Sequence, residues 1–173
     1  MAKAKVTELS FPEMLLASRF YLELILDGNK GDGDVIFLEC QGFKRHQEAI
    51  EFAEVTPGQW ANAKFGQVRR TKMPGNVKTD NIILRRGMSK SLSLWEWFAS
   101  VEAGQWGDQL REGSLVVYNQ AGKEQVRFNF RGAWPVRYSI ADLNAQSSDI
   151  EIEELEMAVE QFVRVEPEDT SQN

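Results

Sequence analysis

Histidine and cysteine are almost missing from this chain: its 173 residues contain one of each, His46 and Cys40. One cysteine cannot close an internal disulfide, and without a cysteine or histidine cluster the usual zinc spacings are absent. One histidine also excludes a histidine-pair metal site, and no serine stands in a Gly-x-Ser-x-Gly turn. No apolar run approaches the ~20 residues needed to cross a bilayer, so no membrane anchor is expected. The start, MAKAKVTELSF, lacks a signal-peptide core, which predicts cytoplasmic synthesis and assembly. Gly28, Gly31 and Gly33 precede a strand pattern rather than a helix start, which removes a phosphate-binding loop. The acids of Asp27–Asp34 superficially resemble a calcium loop, but no bidentate glutamate closes it, and a hairpin connection is expected there. Alternate glutamates near the C-terminus read as a strand face rather than a catalytic carboxylate pair. Neither an enzyme nor a cofactor or metal site is expected.

What the chain does have is strand patterning. With 42% apolar and 27% charged residues it has the composition of a soluble globular protein. Its length suits one domain over residues 1–165, followed by a polar, disordered tail at 166–173. Phe20, Leu22, Leu24 and Leu26 share one face of a strand over Arg19–Leu26. Strands follow at Val35–Cys40, Lys44–Val55 and Val77–Arg86. The irregular stretch Thr56–Arg70, with Trp60 and Phe65, exceeds an ordinary connection and predicts a loop ordered by a neighbouring subunit. Leu94, Trp97, Phe98 and Val101 fall at i, i+3, i+4 and i+7 and form the core stripe of a helix over Ser89–Ala103, capped by Ser91 or Ser93 and stopped by Gly104. Gly113–Asn119 and Glu124–Phe130 form a hairpin, with Gln125, Arg127 and Asn129 opposite the apolar face. Trp134-Pro135 should interrupt that ladder. From Ile150 to Phe162 the apolar spacing fits either a helix or a strand slipping phase at Glu153-Glu154, as a β-bulge would. The architecture expected is mainly β, an antiparallel sandwich or small barrel with one flanking helix.

The net charge of −6 argues against non-specific nucleic-acid binding by the protein as a whole. Basic residues cluster at Arg69, Arg70, Lys72, Lys78, Arg85 and Arg86, and acidic ones between Glu151 and Glu160. Two readings stand: opposite charges meeting between copies of the chain, or two solvated faces of a monomer.

Six features occur in order: Lys72-x-Pro74-Gly75, Asn81-Ile82-x-Leu84-x-Arg86-Gly87, Leu94-Trp95-x-Trp97-Phe98, Ala133-Trp134-Pro135, Leu143-Asn144-Ala145, and the Glu-rich segment Ile150–Glu156. Together they resemble the tail-tube proteins of T4-like contractile phages and phage-derived contractile injection systems. The resemblance also covers Lys78, and it favours the bulged strand for Ile150–Phe162. It implies a tube-type β-sandwich or barrel and a structural role in hexameric rings, stacked into an inner tube around a channel for cargo or DNA. The implied partners are identical copies, a contractile sheath, baseplate or tube-initiator proteins, and a tape measure with the cargo in the lumen. The final location would be a phage tail or injection particle. By position, Trp60, Phe65, Arg69, Arg70 and the turn from Lys72 through Pro74 to Gly75 are candidate ring-to-ring contacts. Candidate lumen residues are Gln125, Arg127 and Asn129, or alternatively Lys44, Gln47 and Glu51. The Asp27–Asp34 turn and the length of the 56–70 loop depart from shorter family members. A baseplate-proximal initiator ring, a secreted ring-forming carrier and a monomeric β-rich binding module remain as alternatives.

Overall fold

The computed structural model describes residues 14–25, 36–55, 66, 68–146 and 148–166. Its axis is one strand of 17 residues, β7 (Glu124–Ile140), which serves two sheets in turn. The first half of β7 lies between β6 (Arg111–Tyr118) and β9 (Gln161–Val165), with β1 (Phe20–Ile25) outside β6. The second half pairs with β8 (Ile152–Ala158), which is followed by β5 (Ile82–Gly87) and the short β2 (Glu39–Gln41). Every pairing is antiparallel. The strand bends where these roles change. Gly132 has φ +61°, a backbone conformation that favours glycine, and the β6 register skips beside it between Arg111 and Gly113.

The β6 ladder stops at Arg111 opposite Ala133, so Trp134-Pro135 interrupts it as the sequence suggests, although the strand itself runs on to Ile140. β7 changes partner there, and a register skip between Pro135 and Arg137 accommodates the residue that cannot donate an N–H.

Alternation builds the core between the two sheets. Leu22 and Leu24 of β1 and Phe130 of β7 face Ile82 and Leu84 of β5 and Leu155 and Met157 of β8, all buried. Phe43 packs edge-on to Phe130 and Phe162, with centroids 6.2 and 5.8 Å apart. The helix α1 (Ser93–Ser100) closes one side: Leu94 and Trp97 are buried, while Phe98 is half-buried beside Tyr138. Val101 is half-buried in the wider turn that follows, where Gly104 at φ +91° ends the helical path. The helix is shorter than the sequence suggests. Leu92 occupies the cap position without a side-chain bond to the helix, and the Ser91 hydroxyl lies 3.0 Å from that of Ser93.

β3 (Arg45–Val55) and β4 (Val68–Thr79) form a separate two-stranded sheet. Its ladder starts at Arg45 opposite Thr79, a few residues beyond the end of the β2–β5 ladder at Gln41 opposite Ile83. The pair is therefore an arm extending the same hairpin past an elbow. At that elbow Gly42 takes φ +88°, and a Cβ there would collide with the Asn81 carbonyl oxygen.

The arm corrects two expectations. Lys72–Gly75 is not a turn but the middle of β4, and the strand expected at Val77–Arg86 is two strands divided at Asp80-Asn81. Of the strand expected at Val35–Cys40, Glu39 and Cys40 pair with β5 in a ladder that runs on to Gln41, and Val35 lies outside the described residues. The Asp27–Asp34 turn and the Thr56–Phe65 part of the long loop lie outside the described residues, and so do Trp60 and Phe65.

Candidate functional site

Neither strand of the arm buries a single side chain. Cross-strand partners share a face, so Ile50 with Met73 and Phe52 with Thr71 form one apolar stripe. Ile50 and Met73 are 54% and 52% exposed, more than an apolar pair facing another layer would be. On the opposite face Lys72 meets Glu51 at 2.7 Å. Arg69 stands across from Glu54 and Arg70 across from Ala53. Pro74 pairs with Ala49 beside a register skip, and the carbonyl of Gly75 accepts a 2.9 Å bond from Gln47 Nε2. Of the sequence-predicted ring contacts, Arg69, Arg70, Lys72, Pro74 and Gly75 are thus brought together on one projecting strand.

The second feature is a ladder of charge on the outer face of the β2–β5–β8–β7 sheet. Arg85 bridges Glu39 at 2.9 Å and Glu154 at 2.7 Å, while Arg137 reaches Glu154 at 2.9 Å and Glu156 at 3.4 Å. Asn81 donates to Glu156 at 2.8 Å. The hydrogen bond from Arg85 holds the Glu154 carboxyl below its usual range, reinforced by Arg137. Glu39 is lowered by its bond from Gln41 and then by Arg85.

On the inner face at the same level, Arg86 and Glu153 are both buried and form an ion pair. The Tyr138 hydroxyl donates to the other Glu153 oxygen at 2.6 Å. Burial first, then the neighbouring carboxylate, pushes the Tyr138 phenol up to about 12. This group explains the apparent phase slip in the sequence. β8 runs without a bulge against β5, and Glu153, Leu155 and Met157 all point inward. Glu153 is an inward charge, where periodicity reads any glutamate as outward. The strand then ends at Ala158 and resumes as β9, so the last apolar stretch is two strands, neither helical. The pairing also uses Arg85 and Arg86 within the chain, leaving the arm as the main holder of the basic cluster. Sequence reasoning missed both networks. The available signal was Arg85-Arg86 closing an alternating strand, opposite a strand rich in glutamate.

Gln125, Arg127 and Asn129 lie on the face of β7 turned away from the core. Arg127 is bound twice by Glu124, at 2.8 and 2.7 Å, and donates to the Ser114 hydroxyl at 3.3 Å. Glu23, Ser114, Arg127 and Asn129 line one open polar groove here, and Gln125 lies beside Arg164 and Val165. The other lumen set separates: Gln47 and Glu51 belong to the arm, and Lys44 is exposed at the elbow.

Edges remain open in the body. β1, β2 and β9 each have one strand neighbour among the described elements, and the second half of β7 has only β8. Among the described residues, no group of three or more His, Cys, Asp or Glu could hold a metal ion, and no helix is long and apolar enough to cross a membrane.

Comparison with known proteins places these features in a lineage. No curated protein matches the sequence. Solved structures do. One belongs to the sheath-tube complex of PVC, an extracellular contractile injection system, in its extended state: TM-score 0.70, 21% identity, covering 91% of this chain and 94% of that one. Another comes from the tube-terminating cap of the anti-feeding prophage: TM-score 0.70, 18% identity, 95% and 99% covered. A third lies in the baseplate of the anti-feeding prophage: TM-score 0.69, 19% identity, 91% and 98% covered. At these identities the likeness is one of fold. The family follows from the sequence itself, since the model of T4-like virus tail tube protein gp19 matches residues 16–163. The arm, the double sheet and the flanking helix are therefore those of a tail tube protein, and this chain belongs to the T4-like virus tail tube protein family.

Proposed function

We propose that this chain is the building block of the inner tube of a contractile tail or injection particle. Copies close into hexameric rings by continuing their sheets across protomers, and the rings stack around a channel that carries DNA or protein. A sheath surrounds the tube, and a baseplate or initiator ring starts it. Assembly takes place in the cytoplasm. The observation carrying this reading is the arm. An isolated two-stranded hairpin is marginal in water, and this one finds no second layer among the described residues. The open edges of β1, β2 and β9 support it further, because unpaired strand edges invite pairing and closure of a ring removes them.

Arg69, Arg70, Lys72, Pro74 and Gly75, with Trp60 and Phe65, are assigned to contacts between rings. Gln125, Arg127 and Asn129 are assigned to the channel wall, where Glu124 partly neutralises Arg127 and the surface stays wet and weakly adhesive to cargo. Light scattering on the eluting protein, followed by negative-stain imaging, tests the whole. The expected species has the mass of a closed hexamer and grows into hollow tubes. A single-chain mass at every concentration would sink the reading. For the wall, a bulky thiol label on Asn129→Cys should add density inside the tube, and label on the outside would reassign that face.

A further inference from the structure

We infer that Glu124 is a positioning residue of the channel wall: with Ser114 it holds Arg127 down on the sheet, so that the guanidinium is withheld from the carboxylates of acidic polypeptide cargo. This rests on the assignment of that face to the channel and deepens it. On a regular strand Glu124 and Arg127, three residues apart, would point to opposite faces. The pairing of β6 with β7 brings them together. Val126 stands opposite Val117 and Glu124 opposite Tyr118, so Gln125 is an extra residue and the alternation shifts by one. Glu124 thereby joins Tyr118, Val116 and Ser114 on the face turned away from the core, where Arg127 also lies.

All three guanidinium nitrogens are then engaged within the protomer. Nε and Nη2 donate to the two Glu124 oxygens at 2.8 and 2.7 Å, and Nη1 donates to the Ser114 hydroxyl at 3.3 Å. Ser114 is itself buried and lies 3.5 Å from Glu23 Oε2. An arginine standing off the sheet would be open to solvent, whereas this side chain is 18% exposed and that of Glu124 10%. Val116, directly opposite Arg127, is 2% exposed although it faces away from the core, as expected where the arginine stem lies across it. A carboxylate arriving on cargo could only replace a carboxylate already held bidentate by the same group. The exchange gains no new bond and costs freedom of motion, so it is unfavourable. Glu124 thus sets the affinity of the wall for acidic segments, and the bulge at Gln125 is what puts Glu124 in place.

The test uses the full chain and a fluorescent oligo-glutamate peptide, with binding followed by anisotropy at low salt. Glu124→Gln keeps the shape of the side chain and removes its charge, and the peptide should bind roughly tenfold more tightly. Glu124→Gln/Arg127→Gln should bind no more tightly than wild type, because the released cation is gone. Glu112→Gln removes one negative charge from the same groove with the clamp intact, and a change within about twofold is expected. A Glu124→Gln protein that binds the peptide as weakly as wild type would overturn the inference. So would an equal gain in Glu112→Gln, which would make net charge the cause. The clamp lies within one protomer, so these comparisons hold even for protein that stays a single chain, an outcome that would remove the tube reading and leave the clamp standing.

Discussion

The body and the arm are two halves of one hairpin treated differently. Before Gly42 and after Asn81, the β2–β5 ladder has β8 beside it and α1 and the second sheet beneath it. Beyond the elbow, β3 and β4 have only each other among the described elements. The same cross-strand chemistry, basic residue against glutamate, has different consequences in the two halves. Arg86–Glu153 is sealed from solvent, so each partner depends on the other. Lys72–Glu51 stands in water, where the pair is screened and contributes little. Burial decides what an interaction is worth: the body encloses its pair, and the arm leaves its own in solvent.

The contrast can be broken most sharply at the buried pair. Arg86→Met should destabilise the protomer by about 3–5 kcal/mol in urea unfolding, because Glu153 is left as an uncompensated charge. Arg86→Met/Glu153→Leu should recover most of that loss. If the single variant unfolds within 1 kcal/mol of wild type, on the order of an exposed pair, the body holds no advantage over the arm. Next in size is the elbow. Gly42→Ala must hold φ +88° with a Cβ against the Asn81 carbonyl, so a loss of about 1–3 kcal/mol is expected. Hydrogen exchange should show faster exchange concentrated where β2 and β5 meet the arm, and uniform change across the body would remove the elbow from the account.

A third measurement concerns the outer charge ladder. Glu154 and Glu39 have folded-state pKa values lowered from the ordinary 4.5. Their contribution is therefore fully present above that value and is lost as pH falls through the lowered folded values. Acid unfolding should steepen below the ordinary carboxylate range, and Arg85→Met should flatten that limb. An unchanged acid limb in the variant would show that the ladder is not linked to folding. The smallest effect belongs to the arm. Lys72→Ala should change protomer stability by about 0–1 kcal/mol. A larger loss in the monomeric protein would mean that the arm already docks on its own body.

Much of the body was legible because its residues obey a single period. Leu22 and Leu24, Ile82 and Leu84, and Leu94 with Trp97 all point where alternation or the helical repeat sends them. The errors have physical causes. Pro74 and Gly75 suggest a turn in any sequence window, yet a two-stranded arm leaves outward backbone groups with no strand to satisfy, so β4 tolerates both. Glu153 misled because its partner, Arg86, is 67 residues away, a relation that no local pattern encodes. The candidate contacts of the arm were located by motif order, while their placement along one strand emerged only from the pairing of β3 with β4.

The sealed charge in β8 has one more effect, on alignment. Arg86 stands opposite Glu153 in the β5–β8 register. Sliding β8 by two residues in one direction would set Leu155 against the guanidinium. Sliding it the other way would carry Glu153 to Leu84, an anion stranded in hydrocarbon. Apolar positions alone would distinguish these registers weakly, since Leu155 and Met157 fill similar space. The ion pair works as an index notch that fixes one setting in each copy, and objects made by repeating a part many times stay straight only when every part is cut to the same length.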